Sequence, residues 1–96
     1  MKKVERKLLE WVKHQPCSVC NKPGPSIAHH IGTGMGRKKD HFRTIPLCED
    51  HHSPYKPNGL HALSRRVWEK AFGVTEEELL GQLQNRREYA EVLLGA

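Results

Sequence analysis

The sequence predicts a small α+β domain in which a zinc-bound knuckle and a two-stranded hairpin are flanked by helices at both ends of the chain. Three observations predict it. Cys17-Ser-Val-Cys20 and Cys48-Glu-Asp-His51-His52 have the spacing of a tetrahedral zinc site. Two short runs, 26–29 and 42–47, read as strands, with glycine-rich chain between them. Apolar stripes at helical spacing occupy the start and the last third of the chain. At 96 residues, with 36% hydrophobic and 6% aromatic side chains, a single domain (1–96) has only a thin core. A structural metal supplies much of the folding energy that such a chain lacks.

Each element follows from local chemistry. Residues 3–14 carry Val4, Leu8, Trp11 and Val12 as a stripe, and Gln15-Pro16 ends it because the residue before proline disfavours helix. Cys17 to Cys20 makes a tight knuckle, and Asn21-Lys-Pro-Gly-Pro25 is turn material. Residues 26–29 form the first strand, and 32–40 hold too much glycine for regular structure. Residues 42–47 form the second, with Pro46 near its exit or on an edge. Cys48 to His52 opens a short helix, broken by Ser53-Pro-Tyr-Lys-Pro-Asn-Gly59. Leu60, Leu63, Val67, Ala71 and Phe72 give a helical stripe, closed by Gly73 at the C′ position. Thr75-Glu-Glu-Glu78 is a capping box that starts one last helix, about 75–94, burying Leu79, Leu83, Ala90 and Leu93. Gly81 inside it costs about 1 kcal/mol relative to alanine.

The three cysteines are an odd number, two of them in a C-x-x-C pair, which argues for metal ligation in a reducing compartment rather than disulfides. Cys17, Cys20 and Cys48 with one histidine, His51 or its neighbour His52, form a closed structural zinc site. Six of the seven histidines fall between positions 29 and 61, a density that suggests a second, open metal site. Adjacent strand residues point to opposite faces, so His29 and His30 take different roles, one on a metal and the other beside it. His52 and His61 could complete the open site. A formal charge of +5 and a pI of about 9.3 fit a polyanion partner. No stretch approaches the roughly 18 apolar residues that span a membrane, and the charged start Met1-Lys2-Lys3-Val4-Glu5-Arg6 leads into no apolar export segment.

Cys-x-x-Cys, then His29-His30, then a short strand ending Pro46-Leu47-Cys48-x-x-His51-His52, resembles the HNH (His-Me finger) endonucleases. Within them the pattern is most similar to the phage Ref-type recombination-enhancement nucleases. The resemblance covers roughly residues 17–72 and implies a ββα-metal core there, with the last helix outside it. By position it implies that His30 is the general base, that His29 and His52 hold the catalytic ion, and that His61 adds a further ligand. His61 stands nine residues after His52, where relatives often have four. The family's middle asparagine, which braces the loop carrying the base, is absent. Arg43 occupies its place, and His41, two residues earlier, is the expected substitute and second catalytic residue.

The resemblance implies metal-dependent hydrolysis of DNA phosphodiesters, with Mg2+, Mn2+ or Zn2+ as the catalytic ion beside the structural zinc and with 5′-phosphate and 3′-hydroxyl products. DNA is the expected partner, a recombinase filament a further one. The expected setting is the cytoplasm of a bacterial cell carrying the phage or prophage. Arg37, Lys38, Lys39 and Arg43 flank the site and, with Arg65 and Arg66, are candidate DNA-phosphate contacts. The alternative is a non-catalytic zinc-stabilised nucleic-acid-binding or recombination adaptor module with a degenerate HNH site.

Overall fold

Two antiparallel strands, β1 (Ile27–His30) and β2 (Thr44–Leu47), lie at the centre of the computed structural model, which describes residues 2–31, 40–53, 56–60 and 62–95. Ile27 pairs with Leu47, Ala28 with Pro46, His29 with Ile45 and His30 with Thr44. The ladder extends by a bond from the Ile31 N–H to the Arg43 carbonyl. Because strand side chains alternate, Ile27, His29, Ile45 and Leu47 share one face and Ala28, His30, Thr44 and Pro46 the other. A hairpin alone is marginal in water, and here helices cover both faces.

Helix α1 (Lys3–Lys13) covers the His30 face. Its fully buried Leu8 and Val12 pack with Leu83, Tyr89 and Ala28 in one apolar cluster. The strand is tied to the end of this helix: the Ser26 N–H donates to the Lys13 carbonyl at 2.6 Å and its Oγ to the Gln15 carbonyl at 2.7 Å. On the other face Ile45 and Leu47 join Ile31, Leu60, Trp68, Leu79 and Leu80 in a second cluster.

The rest of that face is supplied by α2 (Glu49–His52), α3 (Arg65–Phe72) and α4 (Glu76–Gln84). After α2 the chain returns on itself, and the Leu60 N–H reaches the His51 carbonyl at 2.8 Å. Gly59 permits this return, since a Cβ there would sit 1.8 Å from the Ser53 carbonyl oxygen. Ser64 caps α3 by accepting from the Val67 N–H at 3.3 Å, and Gly73 ends it in the left-handed region at φ 70°. Thr75 caps α4 through the Glu78 N–H at 3.0 Å, as the capping-box pattern predicts.

The structure corrects the sequence reading at several places. The first strand runs Ile27–His30 rather than 26–29, and α3 begins only at Arg65, so Leu60 and Leu63 precede it. The single helix expected over 75–94 is two, α4 and α5 (Arg87–Leu94), separated by Asn85 and an extended Arg86. The break turns Tyr89 onto α1, where its ring meets Trp11 edge-on at 5.8 Å and its hydroxyl donates to the Phe42 carbonyl at 3.2 Å. Tyr89 and Leu80 are buried in place of Ala90, which is exposed. In α3 the buried residue is Trp68; Val67 is half exposed and Ala71 faces solvent, so the apolar stripe is turned by one residue. The second strand begins at Thr44 rather than at Phe42. No described helix is long and apolar enough to cross a membrane.

Candidate metal centre and histidine pairs

The knuckle that opens at Cys17 is held by its own backbone. The Asn21 N–H donates to the Cys17 carbonyl at 2.9 Å and the Cys17 N–H to the Lys22 carbonyl at 3.0 Å. Asn21 takes φ 61°, a left-handed turn that asparagine tolerates better than most residues. The Val19 N–H points at the Cys17 sulfur at 3.4 Å, and the Ser18 N–H reaches the Pro46 carbonyl at 2.9 Å, fixing the knuckle to the outer edge of β2. Cys48 leaves the same strand and caps α2, so one helical turn brings His51 back over it.

As a result the ligand atoms of Cys17, Cys20, Cys48 and His51 all lie within 4.8 Å of one another. Cys48 Sγ is 3.1 Å and Cys17 Sγ 3.8 Å from His51 Nδ1, and Cys20 Sγ is 3.7 Å from Cys48 Sγ. That sulfur separation is far beyond a disulfide bond, and all three cysteines are free. Burial pushes Cys17 up, but the surrounding backbone N–H groups outweigh it and leave the thiol below its ordinary range. Cys48 is pushed up to about 11 by burial and by the neighbouring sulfurs of Cys20 and Cys17. Sulfurs this crowded cannot all ionise without a cation among them, and three thiolates with one imidazole suit tetrahedral zinc. These four residues could hold a structural metal such as zinc, and of the two adjacent histidines His51 is the one in the cluster.

His52, one residue on, faces the sheet instead. Its ring stands edge-on to that of His29, with centroids 5.2 Å apart. His29 is only 7% exposed, and its Nε2 lies 3.4 Å from Oε2 of Glu76, the first residue of α4. Glu76 is itself buried. Its other carboxylate oxygen lies 3.7 Å from the Arg65 guanidinium, and its N–H donates to Glu69 at 3.1 Å. Among the described residues, the donors that come close enough to share an ion as three or more ligands are Cys17, Cys20, Cys48 and His51, so Glu76 is a partner of His29 rather than a third ligand beside it and His52. Sequence reasoning assigned Glu76 only to a helix cap.

On the opposite face, His30 Nε2 and His41 Nδ1 are 2.9 Å apart, and the rings meet at 66°. One N–H must lie between them. Glu5 of α1 has a carboxylate oxygen 3.9 Å from His41 Nε2, which favours a proton on that nitrogen. With the proton there, His41 Nδ1 accepts from His30 Nε2. Glu5 is the second residue that the sequence did not single out.

Among the candidate phosphate contacts, Arg43 is paired with Glu77, Arg65 with Glu69 at 3.5 Å and with Glu76, and Arg66 is exposed on α3. Arg37, Lys38, Lys39 and His61 lie outside the described residues. A cleft of about 190 Å³ between the knuckle and α4, lined by Val19, Leu79 and Arg86 among others, contains no histidine.

Residues 1–87 match the model of a family described as "Protein of unknown function (DUF968)". Over 53 residues the chain is 42% identical to the uncharacterized protein YdfU of Escherichia coli (strain K12), a match that covers 52% of this chain and 15% of that protein. No solved structure matches the chain.

Proposed function

We propose that this chain, which belongs to the DUF968 family, is a metal-dependent endonuclease of the HNH kind that hydrolyses DNA phosphodiester bonds. The observation that carries the reading is the division of work along β1. His29 faces His52 and Glu76 on one side, while His30 is bonded to His41 on the other. The order β1, β2, α2, with a four-ligand cysteine and histidine cluster at the strand-to-helix step, supports a zinc-stabilised ββα-metal core.

In this reading His30 takes a proton from an attacking water, because imidazole, with an ordinary pKa of about 6.5, suits proton transfer near neutral pH. His41 braces that ring, and Glu5 braces His41. A divalent ion held by His29 and His52 would supply charge neutralisation at the scissile phosphate and the leaving oxygen. Basic side chains hold neighbouring phosphates, contacts that weaken with salt and carry little sequence information. The setting we propose is DNA processing or recombination in a bacterial cytoplasm, on a phage or prophage gene, with a recombinase filament as a possible second partner.

A second reading, a zinc-stabilised nucleic-acid-binding adaptor without catalysis, is favoured by the absence of the family's middle asparagine, whose place Arg43 takes, and by His61 standing nine residues after His52. Supercoiled plasmid separates the two. The nuclease nicks it with Mg2+ or Mn2+, EDTA stops the reaction, and His30→Ala lowers the rate at least a hundredfold with thermal stability kept. Retention of DNA without nicking under either ion would leave the adaptor.

A further inference from the structure

The strongest group outside the expected site residues is the carboxylate of Glu76. Its side chain is 5% exposed, yet it belongs to a helix that the HNH resemblance does not cover. Burying a carboxylate is costly unless charges and hydrogen-bond donors surround it. Three features do so here. The Arg65 guanidinium lies 3.7 Å from Oε1, His29 Nε2 lies 3.4 Å from Oε2, and Glu76 stands at the first position of α4, where the helix end is positive. Arg65 is itself anchored to Glu69, which also receives the Glu76 N–H, so α3 and α4 together fix the carboxylate.

A structural ion pair alone would need only Arg65. The second oxygen is instead aimed at one particular imidazole, the one whose ring also meets His52. Histidines that bind metals commonly turn their other ring nitrogen to a carboxylate, which fixes tautomer and orientation and makes the ligand more basic.

We infer that Glu76 is the positioning residue of the second ion site, the carboxylate that holds His29 and thereby sets how tightly His29 and His52 retain a divalent cation. The inference rests on the nuclease reading for the existence of that ion. It adds α4, and through Arg65 also α3, to the parts of the chain that build the site.

The test is Mn2+ binding to the full chain loaded with one equivalent of zinc, followed by the paramagnetic resonance of free Mn2+, with thermal stability and zinc content measured alongside. Loss of such a carboxylate costs about ten- to a hundredfold in metal affinity, so Glu76→Gln should weaken Mn2+ binding by at least tenfold. Glu76→Asp, which keeps the charge but draws it back, should weaken it less and serves where the glutamine variant does not fold. Glu77→Gln, an exposed neighbour, should leave binding unchanged. If Glu76→Gln and Glu76→Asp bind Mn2+ within twofold of the parent while His29→Ala does not bind it, Glu76 is only a structural partner and the inference falls alone. If the parent chain takes up no Mn2+, the second ion and the nuclease reading fall with it.

Discussion

At the scale of single residues, Cys48 carries a measurable consequence. Zinc binds thiolate, whereas the metal-free Cys48 is held up at about 11 and so keeps its proton at neutral pH. Zinc uptake at pH 7 therefore releases at least that proton, and affinity falls as pH is lowered. Calorimetry in buffers of different ionisation enthalpy should show the release directly; an uptake heat independent of buffer would contradict it. The cysteine ligands were open to sequence reasoning because their geometry is local, a knuckle of two intervening residues and one helical turn from Cys48 to His51. The choice of His51 over His52 follows from the same turn once Cys48 is known to cap α2. Glu76 was hidden for the opposite reason. Its contact with His29 joins residues 47 apart, and nothing in Thr75-Glu-Glu-Glu78 tells a cap acid from a buried carboxylate.

At the scale of elements, α3 is anchored by Trp68, which has no exposed surface and packs 5.2 Å from the Phe72 ring. Trp68→Ala should cost about 3–5 kcal/mol, whereas Val67→Ala on the open side should change stability by no more than about 0.5 kcal/mol. Denaturant unfolding of the two variants reads the difference, and comparable losses would mean that α3 is turned the other way. The helix itself was legible from its apolar spacing and from Gly73 at its end; its start after Ser64 and its rotation were not, because Leu60 and Leu63 continue the spacing upstream and Val67 and Trp68 are both apolar, so only the packed partner chooses between them. The break between α4 and α5 was equally hidden. Asn85-Arg86 contains neither proline nor glycine, and the chain turns there to bring Tyr89 onto Trp11 and α1.

At the scale of the molecule, a two-stranded sheet lies between α1 on one face and α2, α3 and α4 on the other, with the cysteine and histidine cluster clamping one edge. Structural zinc contributes on the order of 10 kcal/mol in small domains, a quantity comparable to the whole stability of a chain this size. Stripping zinc with a strong chelator, or replacing Cys17 or Cys20 by serine, should abolish the cooperative thermal transition, while His30→Ala should keep it. Equal loss in all of them would contradict the separation of the closed cluster from the histidines on β1. That separation hangs on strand register. A slip of one residue in β1 would exchange the two neighbours, sending His29 toward Glu5 and His41 and His30 toward Glu76 and His52. Every ligand type would still be present, and neither set would be in its place. The bonds of Ser26 to Lys13 and Gln15, and of Ile31 to Arg43, close off that error from both ends. They act as a reading frame for the site, so a one-residue insertion in this strand would be more damaging than the loss of either histidine.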